Sequence, residues 1–196
     1  MNTIVKHSLL EASAALDAFL KDDAAIAAVS RAGKALADCF ATGGRVFSCG
    51  NGGSMCAAMP FAEELSGRYR LNRKALPAAA VSDPGHLTCA GNDFGYDKIF
   101  SRFLEAHARK GDLLLAISTS GSSGNVLDAA AHARDNGIRV VGLTGKRASP
   151  LGGLSDIEIC TPGGQYADRV QELHIKVIHI LIELIERELF PENYTD

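Results

Sequence analysis

The chain opens with two stretches of apolar residues at helical spacing. A stripe between Ile4 and Leu20 predicts a first helix. A second helix is predicted from about Asp23 to Phe40, with Asp22 or Asp23 as its N-cap and Gly43-Gly44 as its stop. Both helices precede the first predicted strand, so residues 1–42 form a helical hairpin outside the α/β part of the chain. We expect this hairpin to pack against another subunit in an oligomer.

From Arg45 onward, short apolar runs alternate with helical segments. Five strands are predicted, at residues 46–49, 78–81, 113–117, 139–143 and 157–159. Helices are predicted at residues 54–65, 96–108, 125–135 and 167–189. Continuously apolar strands separated by helices are typical of a parallel sheet that is covered on both faces. The sequence therefore predicts a single α/β domain over residues 1–196, a three-layer αβα sandwich around a mostly parallel five-stranded sheet.

Size, composition and charge indicate a globular domain without nucleic-acid or membrane partners. The chain has 196 residues, of which 46% are hydrophobic and 22% charged, and its formal net charge is -3. No dense cluster of Lys and Arg accompanies this negative charge, which argues against nucleic acid or an anionic membrane as a partner. No apolar run is long enough to cross a bilayer, and Lys6, His7 and Glu11 interrupt any signal peptide. We expect a cytoplasmic protein.

The cysteines are scattered and odd in number, without short paired spacing. Most have apolar or small neighbours, and none adjoins a His-rich segment. This pattern favours reduced, buried thiols over disulfides, a zinc cluster or a catalytic cysteine. The residues concerned are Cys39, Cys49, Cys56, Cys89 and Cys160.

Two loops that follow predicted strands carry residues suited to phosphate. Ligands of an open parallel sheet bind beyond the carboxyl ends of its strands. The first loop, residues 49–54, reads Cys-Gly-Asn-Gly-Gly-Ser, and its glycines would let the backbone approach a ligand at the start of a helix. A Gly-rich tight turn explains this loop equally well. The second loop, residues 118–125, places five hydroxyls at a helix N-terminus.

The hydroxyls of the second loop favour phosphate binding over simple helix capping, because a cap uses only one of them. Neutral donors of this kind suit a phosphate monoester, whose oxygens accept several hydrogen bonds. Neither loop has the Gly-Lys-Ser/Thr ending of a Walker A motif, and neither carries G-x-G-x-x-G in its usual place. The sequence therefore predicts a small phosphorylated ligand and no nucleotide cofactor.

Together the two loops resemble the SIS domain family of sugar isomerases. The resemblance lies in a strand, G-N-G-G-S and a helix at Gly50 to Ser54, followed by S-T-S-G-x-S at Ser118 to Ser123. Further segments resemble bacterial phosphoheptose isomerases, which interconvert sedoheptulose 7-phosphate and D-glycero-D-manno-heptose 7-phosphate. These segments are residues 61–69, 91–96, 143–146 and 169–174. The resemblance covers nearly the whole chain. It implies a flavodoxin-like SIS fold, a homotetramer with active sites at subunit boundaries, and a part in lipopolysaccharide core biosynthesis.

The resemblance also implies roles for individual residues. Glu64 would be the base of an aldose–ketose isomerisation through an ene-diol, and His179 its acid/base partner. Gln171 would help to position the substrate. Zinc is the implied metal, with Glu64, Gln171 and His179 as its ligands. The other substrate-binding residues would be Asn51, Gly52, Gly53, Asn92, Asp93, Ser118, Thr119, Ser120 and Ser123.

This chain departs from the family pattern on the helix that carries Glu64. Most phosphoheptose isomerases have a histidine four residues earlier, where this chain has Pro60, and position 57, often aspartate, is Ala57. Residues at i and i+4 share one helix face, and proline has no ligand atom, so the departure weakens the zinc expectation. It also leaves open a catalytically impaired SIS protein that binds sugar phosphates in a regulatory role. A third hypothesis is an SIS isomerase for another sugar phosphate, such as a six-carbon one.

Without the resemblance, composition and helix geometry predict other roles for the histidines and limit the adjacent glutamates. His179 lies among apolar residues, and composition alone favours a buried core histidine. His174 is a weaker candidate for the site. Glu63 and Glu64 are adjacent and point about 100° apart on a helix, so they cannot both face one site. The family pattern selects Glu64.

Overall fold

A five-stranded parallel sheet forms the centre of the molecule, of which the computed structural model describes residues 1–194. The strands are β1 (Val46–Gly50), β2 (Ala78–Ala80), β3 (Leu113–Ser118), β4 (Arg139–Thr144) and β5 (Ile157–Cys160). Their order is β2-β1-β3-β4-β5, and every neighbouring pair is parallel. This is the order of flavodoxin-like sheets. The predicted α/β class and the five strands are confirmed, and the sheet is wholly rather than mostly parallel.

Helices cover both faces of this sheet. Within residues 1–194 they are α1 (Asn2–Leu20), α2 (Asp23–Ala41), α3 (Gly53–Ser66), α4 (Pro84–Phe94), α5 (Ile99–His107), α6 (Gly124–Asp135), α7 (Pro150–Leu154) and α8 (Ala167–Leu189). Short 3-10 turns lie at Tyr96–Lys98 and Pro191–Asn193. None of these helices is long and apolar enough to span a membrane.

Two apolar cores, one on each face of the sheet, make the three layers. Successive side chains of a strand point to opposite faces. In β3, Leu113, Leu115 and Ile117 pack with α2, α3 and α8, whereas Leu114 and Ala116 pack with α4, α5, α6 and α7. All of β3 is buried, as expected for the central strand of a parallel sheet. The predicted αβα sandwich is therefore confirmed.

The first two helices are joined by a short link and differ in how far they are buried. Asp22 is the N-cap of α2, since its carboxylate accepts a hydrogen bond from the Ala25 N–H at 3.1 Å. Gly44 N–H donates to the Cys39 carbonyl at 2.8 Å and ends the helix, as predicted. Ten residues of α2 are buried, against Phe19 alone in α1. The predicted apolar stripe of α1 therefore lies mostly in solvent in a single chain.

Two helices, α4 and α7, were not predicted from the sequence, and one predicted helix is shorter than expected. The helix expected at 96–108 begins with a 3-10 turn, and α5 proper starts at Ile99. The segment before it forms α4, which buries only Ala90 and so shows little apolar periodicity. Its start was nevertheless marked, because Asp83 caps the His86 N–H at 2.7 Å and Pro84 occupies the first turn.

Candidate functional site

The loop at residues 118–123, named the serine loop here, gathers its hydroxyls into one cluster. Ser118 ends β3 and is 4% exposed. Its Oγ lies 3.1 Å from Oγ of Ser123 and 3.4 Å from Oγ of Ser120. The Gly121 N–H donates to Ser118 Oγ at 3.1 Å, which holds the turn closed. Hydroxyls that meet in this way present several donors to one small anion.

The serine loop leads directly into the first turn of α6. Ser123 is the N-cap of this helix, but its side chain makes no capping hydrogen bond. The first N–H groups of a helix have no partner within it and carry the positive end of the helix dipole. A second feature at this end is the Asp97 carboxylate, because a Cβ built on Gly124 would lie 2.7 Å from its Oδ1. Sequence reasoning did not single out Asp97.

The loop at residues 50–54, named the glycine loop, follows β1 and enters α3. A Cβ on Gly50 would lie 2.7 Å from Ser54 Cβ and 2.8 Å from the Ile117 carbonyl, so only glycine fits there. Gly52 has φ +53, a conformation that favours glycine. Gly53 is the first residue of α3. These constraints bring the backbone of the loop against the end of β3.

A reciprocal pair of amides joins the two loops. Asn51 Nδ2 donates to Asn125 Oδ1 at 2.8 Å, and Asn125 Nδ2 donates to Asn51 Oδ1 at 2.8 Å. The Tyr96 hydroxyl also donates to Asn51 Oδ1, at 3.0 Å. The loops therefore lie side by side, as the phosphate hypothesis requires. Asn125 and Tyr96 were not predicted as site residues, because only the strand order reveals that β1 and β3 are neighbours.

Gln171, on α8, lies against the glycine loop. A Cβ built on Gly53 would be 2.6 Å from both Nε2 and Oε1 of Gln171, so the amide covers the bare backbone of Gly53. Gln171 is half-buried. The structure thus places the side-chain amide of Gln171 beside Gly53. Asn92 and Asp93 lie exposed near the end of α4, where Asn92 Nδ2 donates to Asp93 Oδ1 at 2.8 Å.

Glu64 and His179 lie further along the same two helices. Glu64 follows Gly53 by eleven residues on α3, a rise of about 16 Å, and His179 follows Gln171 by eight on α8, about 12 Å. Glu64 is half-buried. The ring of His179 stacks on that of Tyr69, with centroids 6.0 Å apart and 24° between the planes. Within one chain the acid–base candidates are thus set apart from the loops.

The core histidine of α8 is His174 rather than His179. His179 is exposed, which overturns the reading of it as a core residue from composition alone. His174 is 1% exposed, and its Nε2 donates to the Thr144 carbonyl at 3.1 Å. Burial lowers the pKa of His174 to about 4, although the bond to the carbonyl of Thr144 partly offsets this effect. His174 is therefore neutral near pH 7.

The side chains near Glu64 do not make a closed metal centre. In the part of the chain that is described, no three His, Cys, Asp or Glu residues lie close enough to share an ion. Pro60 lies inside α3 one turn before Glu64 and supplies no ligand atom, and Ala57 is a buried core residue. Zinc sites with catalytic roles use three protein ligands from His, Cys, Asp or Glu. Within one chain the described His, Cys, Asp and Glu side chains therefore do not make up such a ligand set.

Two cavities of a single chain lie away from the loops. One of about 490 Å³ runs between α5 and α6 beside Lys98, Arg102 and Asp128. Another, of about 390 Å³, lies between α1 and the segment that precedes α8. The serine and glycine loops line neither of them. Within the loops Ser118 is buried, Ser122 is exposed, and the hydroxyl residues Thr119, Ser120 and Ser123 are half-buried.

Comparison with known proteins agrees with this fold. The SIS domain model matches residues 10–145. A phosphoheptose isomerase of Salmonella paratyphi B is 59% identical over 95% of this chain and 97% of its own length. The phosphoheptose isomerase structure from Neisseria gonorrhoeae has a TM-score of 0.87 at 32% identity and covers 94% of this chain and 98% of its own. A phosphoheptose isomerase structure from Francisella tularensis has a TM-score of 0.89 at 31% identity, with coverages of 94% and 97%. This chain belongs to the SIS domain family and, within it, to the phosphoheptose isomerases.

Proposed function

We infer that this protein is an aldose–ketose isomerase that converts sedoheptulose 7-phosphate to D-glycero-D-manno-heptose 7-phosphate. The observation that carries this inference is the joined pair of loops at the ends of β1 and β3, in a chain of the phosphoheptose isomerase family. A heptose 7-phosphate carries its phosphate and its reacting carbons at opposite ends. The site therefore needs an anion cradle at one end and an acid–base pair at the other.

The serine loop is the cradle for the phosphate in this proposal. Ser118, Thr119, Ser120 and Ser123 supply hydroxyls, and the first turn of α6 supplies N–H groups and a dipole of the right sign. Contacts to the sugar come from Gly52, Gly53, Gln171, Asn92 and Asp93. The side-chain amide of Asn51 already bonds to Asn125 and Tyr96, so its part is to hold the loops together.

Glu64 and His179 supply the chemistry at the other end of the sugar. The Glu64 carboxylate takes a proton from C1 of the ketose as the C2 carbonyl oxygen accepts a proton from His179, which gives the ene-diol. His179 then takes the proton from the C1 hydroxyl as the C1 carbonyl forms, and Glu64 returns its proton to C2. Positioned acid–base groups of this kind contribute about 10²–10⁴-fold in rate. The two proton transfers leave the sugar with no net change in oxidation state.

A second copy of the chain completes the site in this proposal. Glu64 lies about 16 Å along α3 from Gly53, and the apolar side chains of α1 are free to pack. Ile4, Val5, Leu9 and Leu10 of α1 are each 58–71% exposed. These features support a homotetramer with active sites at subunit boundaries. Assembly by α1 predicts that Leu9→Glu together with Leu10→Glu lowers the mass measured by light scattering.

Mixing two inactive variants tests whether subunits share a site. One variant carries Glu64→Gln, and the other carries Ser118→Ala with Ser120→Ala in the serine loop. If each site draws on two chains, co-refolded mixtures contain some sites with both halves intact, and turnover returns. Mixtures as inactive as their parents would contradict a shared site while leaving the isomerase activity itself to the assay below.

The direct test of the function is turnover of sedoheptulose 7-phosphate by the wild-type protein, with NMR identification of the product. The assay is run with and without added zinc, and we expect similar rates because Pro60 offers no ligand atom one turn before Glu64. A six-carbon ketose phosphate serves as the competing substrate. Binding without turnover would contradict the proposal and indicate a regulatory sugar-phosphate protein. The cytoplasm and heptose supply for lipopolysaccharide are the setting that we propose for the activity.

A further inference from the structure

One face of α8 is fastened to the loop that follows α3. His179, Glu183 and Glu186 are four and three residues apart, spacings that place side chains on one face of a helix. Each of them contacts a residue of the loop at 69–73. The pairs are His179 with Tyr69 at 6.0 Å between ring centroids, Glu183 with Arg70 at 2.8 Å, and Glu186 with Arg73 at 2.8 Å.

Arg73 is a buried member of this set of contacts. Its side chain is 1% exposed, although the adjoining residues Asn72 and Lys74 are exposed. Besides Glu186, the guanidinium donates to three backbone carbonyls at the end of α3. These belong to Glu64 at 2.6 Å, Leu65 at 2.8 Å and Gly67 at 3.0 Å. The last carbonyls of a helix have no donor within the helix. Arg73 supplies the N–H donors that a further turn of α3 would have supplied.

The other end of this contact is equally well satisfied. Glu186 is fully buried, with one carboxylate oxygen on Arg73 and the other accepting from the Tyr194 hydroxyl at 2.8 Å. Replacing a buried ion pair with apolar side chains is often neutral or stabilising, so stability alone gives little reason to keep one. What this pair provides is a fixed geometry. The planar guanidinium of Arg73 connects the backbone of Glu64 to α8, the helix that carries His179.

We propose that Arg73 is a positioning residue that sets the place of Glu64 relative to His179. Arg73 bonds to the backbone of Glu64 itself, and Glu186 lies two helical turns beyond His179 on the same face of α8. A shift of α3 against α8 would have to break these charged hydrogen bonds in a buried site. This proposal rests on the roles of Glu64 and His179 in the proposed function.

The test is Arg73→Lys, which keeps the positive charge but loses the fork that reaches Glu186 and the carbonyls at once. We expect kcat for sedoheptulose 7-phosphate to fall by about a hundredfold, since a misplacement of about 1 Å costs about that much. KM should stay within about threefold, because the serine loop lies on other elements. Arg102→Lys is the matched control. Arg102 forms an exposed ion pair with Glu105, and its replacement should leave both constants unchanged.

A merely structural role for Arg73 predicts a different pattern. The melting temperature and the folded fraction would fall, while kcat per folded molecule would equal that of the wild type; this result would overturn the proposal. If Arg73→Lys does not fold, Tyr194→Phe decides, because it removes one hydroxyl from Glu186 and leaves the guanidinium in place. Tyr194→Phe should then lower kcat by about threefold at constant KM, and an unchanged kcat would overturn the proposal.

Failure of this proposal is distinguishable from failure of the proposed function. A wild-type protein without turnover, or a Glu64→Gln variant with full activity, would refute the function and the base assignment before Arg73 is considered. Wild-type turnover that is abolished by Glu64→Gln and untouched by Arg73→Lys would refute only the positioning role.

Discussion

Adding a single methyl group at Gly53 should separate function from stability in this protein. A Cβ at this position would lie 2.6 Å from Nε2 and Oε1 of Gln171. The amide must therefore move by about 0.8 Å to reach an ordinary contact of 3.4 Å. The amide is the far end of a flexible side chain, so its displacement should change the free energy of unfolding little. Because Gln171 positions the substrate in the proposed function, the same displacement should lower catalytic efficiency.

The magnitudes follow from this difference. We expect Gly53→Ala to lower kcat/KM for sedoheptulose 7-phosphate about tenfold, which corresponds to about 1.4 kcal/mol of lost transition-state stabilisation. The free energy of unfolding should change by less than about 1 kcal/mol, because alanine suits the start of a helix at least as well as glycine. The assays are steady-state kinetics and urea denaturation of the same preparation.

The matched control is Gly164→Ala, where a Cβ would meet nothing within 4 Å. It should match the wild type in both assays. A Gly53→Ala protein with wild-type kcat/KM would refute the contact between Gln171 and the substrate. A variant that loses activity only in proportion to its loss of folded protein would refute the expectation that the Gln171 amide moves without destabilising the fold.

Three further predictions concern stability and reactivity. Asn125→Ala should lower the free energy of unfolding by about 2–4 kcal/mol in urea denaturation, because it removes both amide bonds to Asn51; exposed Asn136→Ala should cost under about 1 kcal/mol, and equal losses would contradict the loop junction. His174, whose folded pKa is about 4, binds a proton more readily in the unfolded chain, so the free energy of unfolding should fall as the pH drops from 6.5 to 4, by up to about 3 kcal/mol. His174→Gln should flatten this pH dependence, and an unchanged slope would contradict the assignment. Burial raises the pKa of the Cys49 thiol to about 12, so it should resist Ellman's reagent until the protein unfolds; rapid labelling of it in the folded protein would contradict its burial. The thiols that react first should be those of Cys56 and Cys89, which are exposed, so the prediction of buried thiols is wrong for these two.

The central layer of the fold could be predicted from the sequence because its signals are local. The strand over residues 113–117 is continuously apolar, and α8 was bounded correctly at 167–189 by its periodicity and flanking residues. By contrast, α4 was missed because its apolar content is low. Its Asp83-Pro84 start was a readable signal that carried too little weight against the missing periodicity.

The candidate site was predictable in its parts but not in its assembly. The hydroxyls of the serine loop indicate an anion site from the sequence alone. The amide pair of Asn51 and Asn125, by contrast, forms because β1 and β3 are neighbours in the sheet. The order of the strands in the sheet cannot be read from the pattern of a single sequence. The two histidines of α8 were separable, because the buried positions Val170, Leu173, Val177 and Leu181 share a stripe with His174 and not with His179.

The central claim is that the carboxylate of Glu64 moves the carbon-bound proton. The most direct measurement compares kcat for sedoheptulose 7-phosphate in wild-type protein, Glu64→Gln and Glu63→Gln, an isosteric change at the adjacent exposed glutamate of the same helix. We predict a loss of about 10²–10⁴-fold in Glu64→Gln and wild-type turnover in Glu63→Gln. Equal activities in the two variants, or the larger loss in Glu63→Gln, would contradict the account.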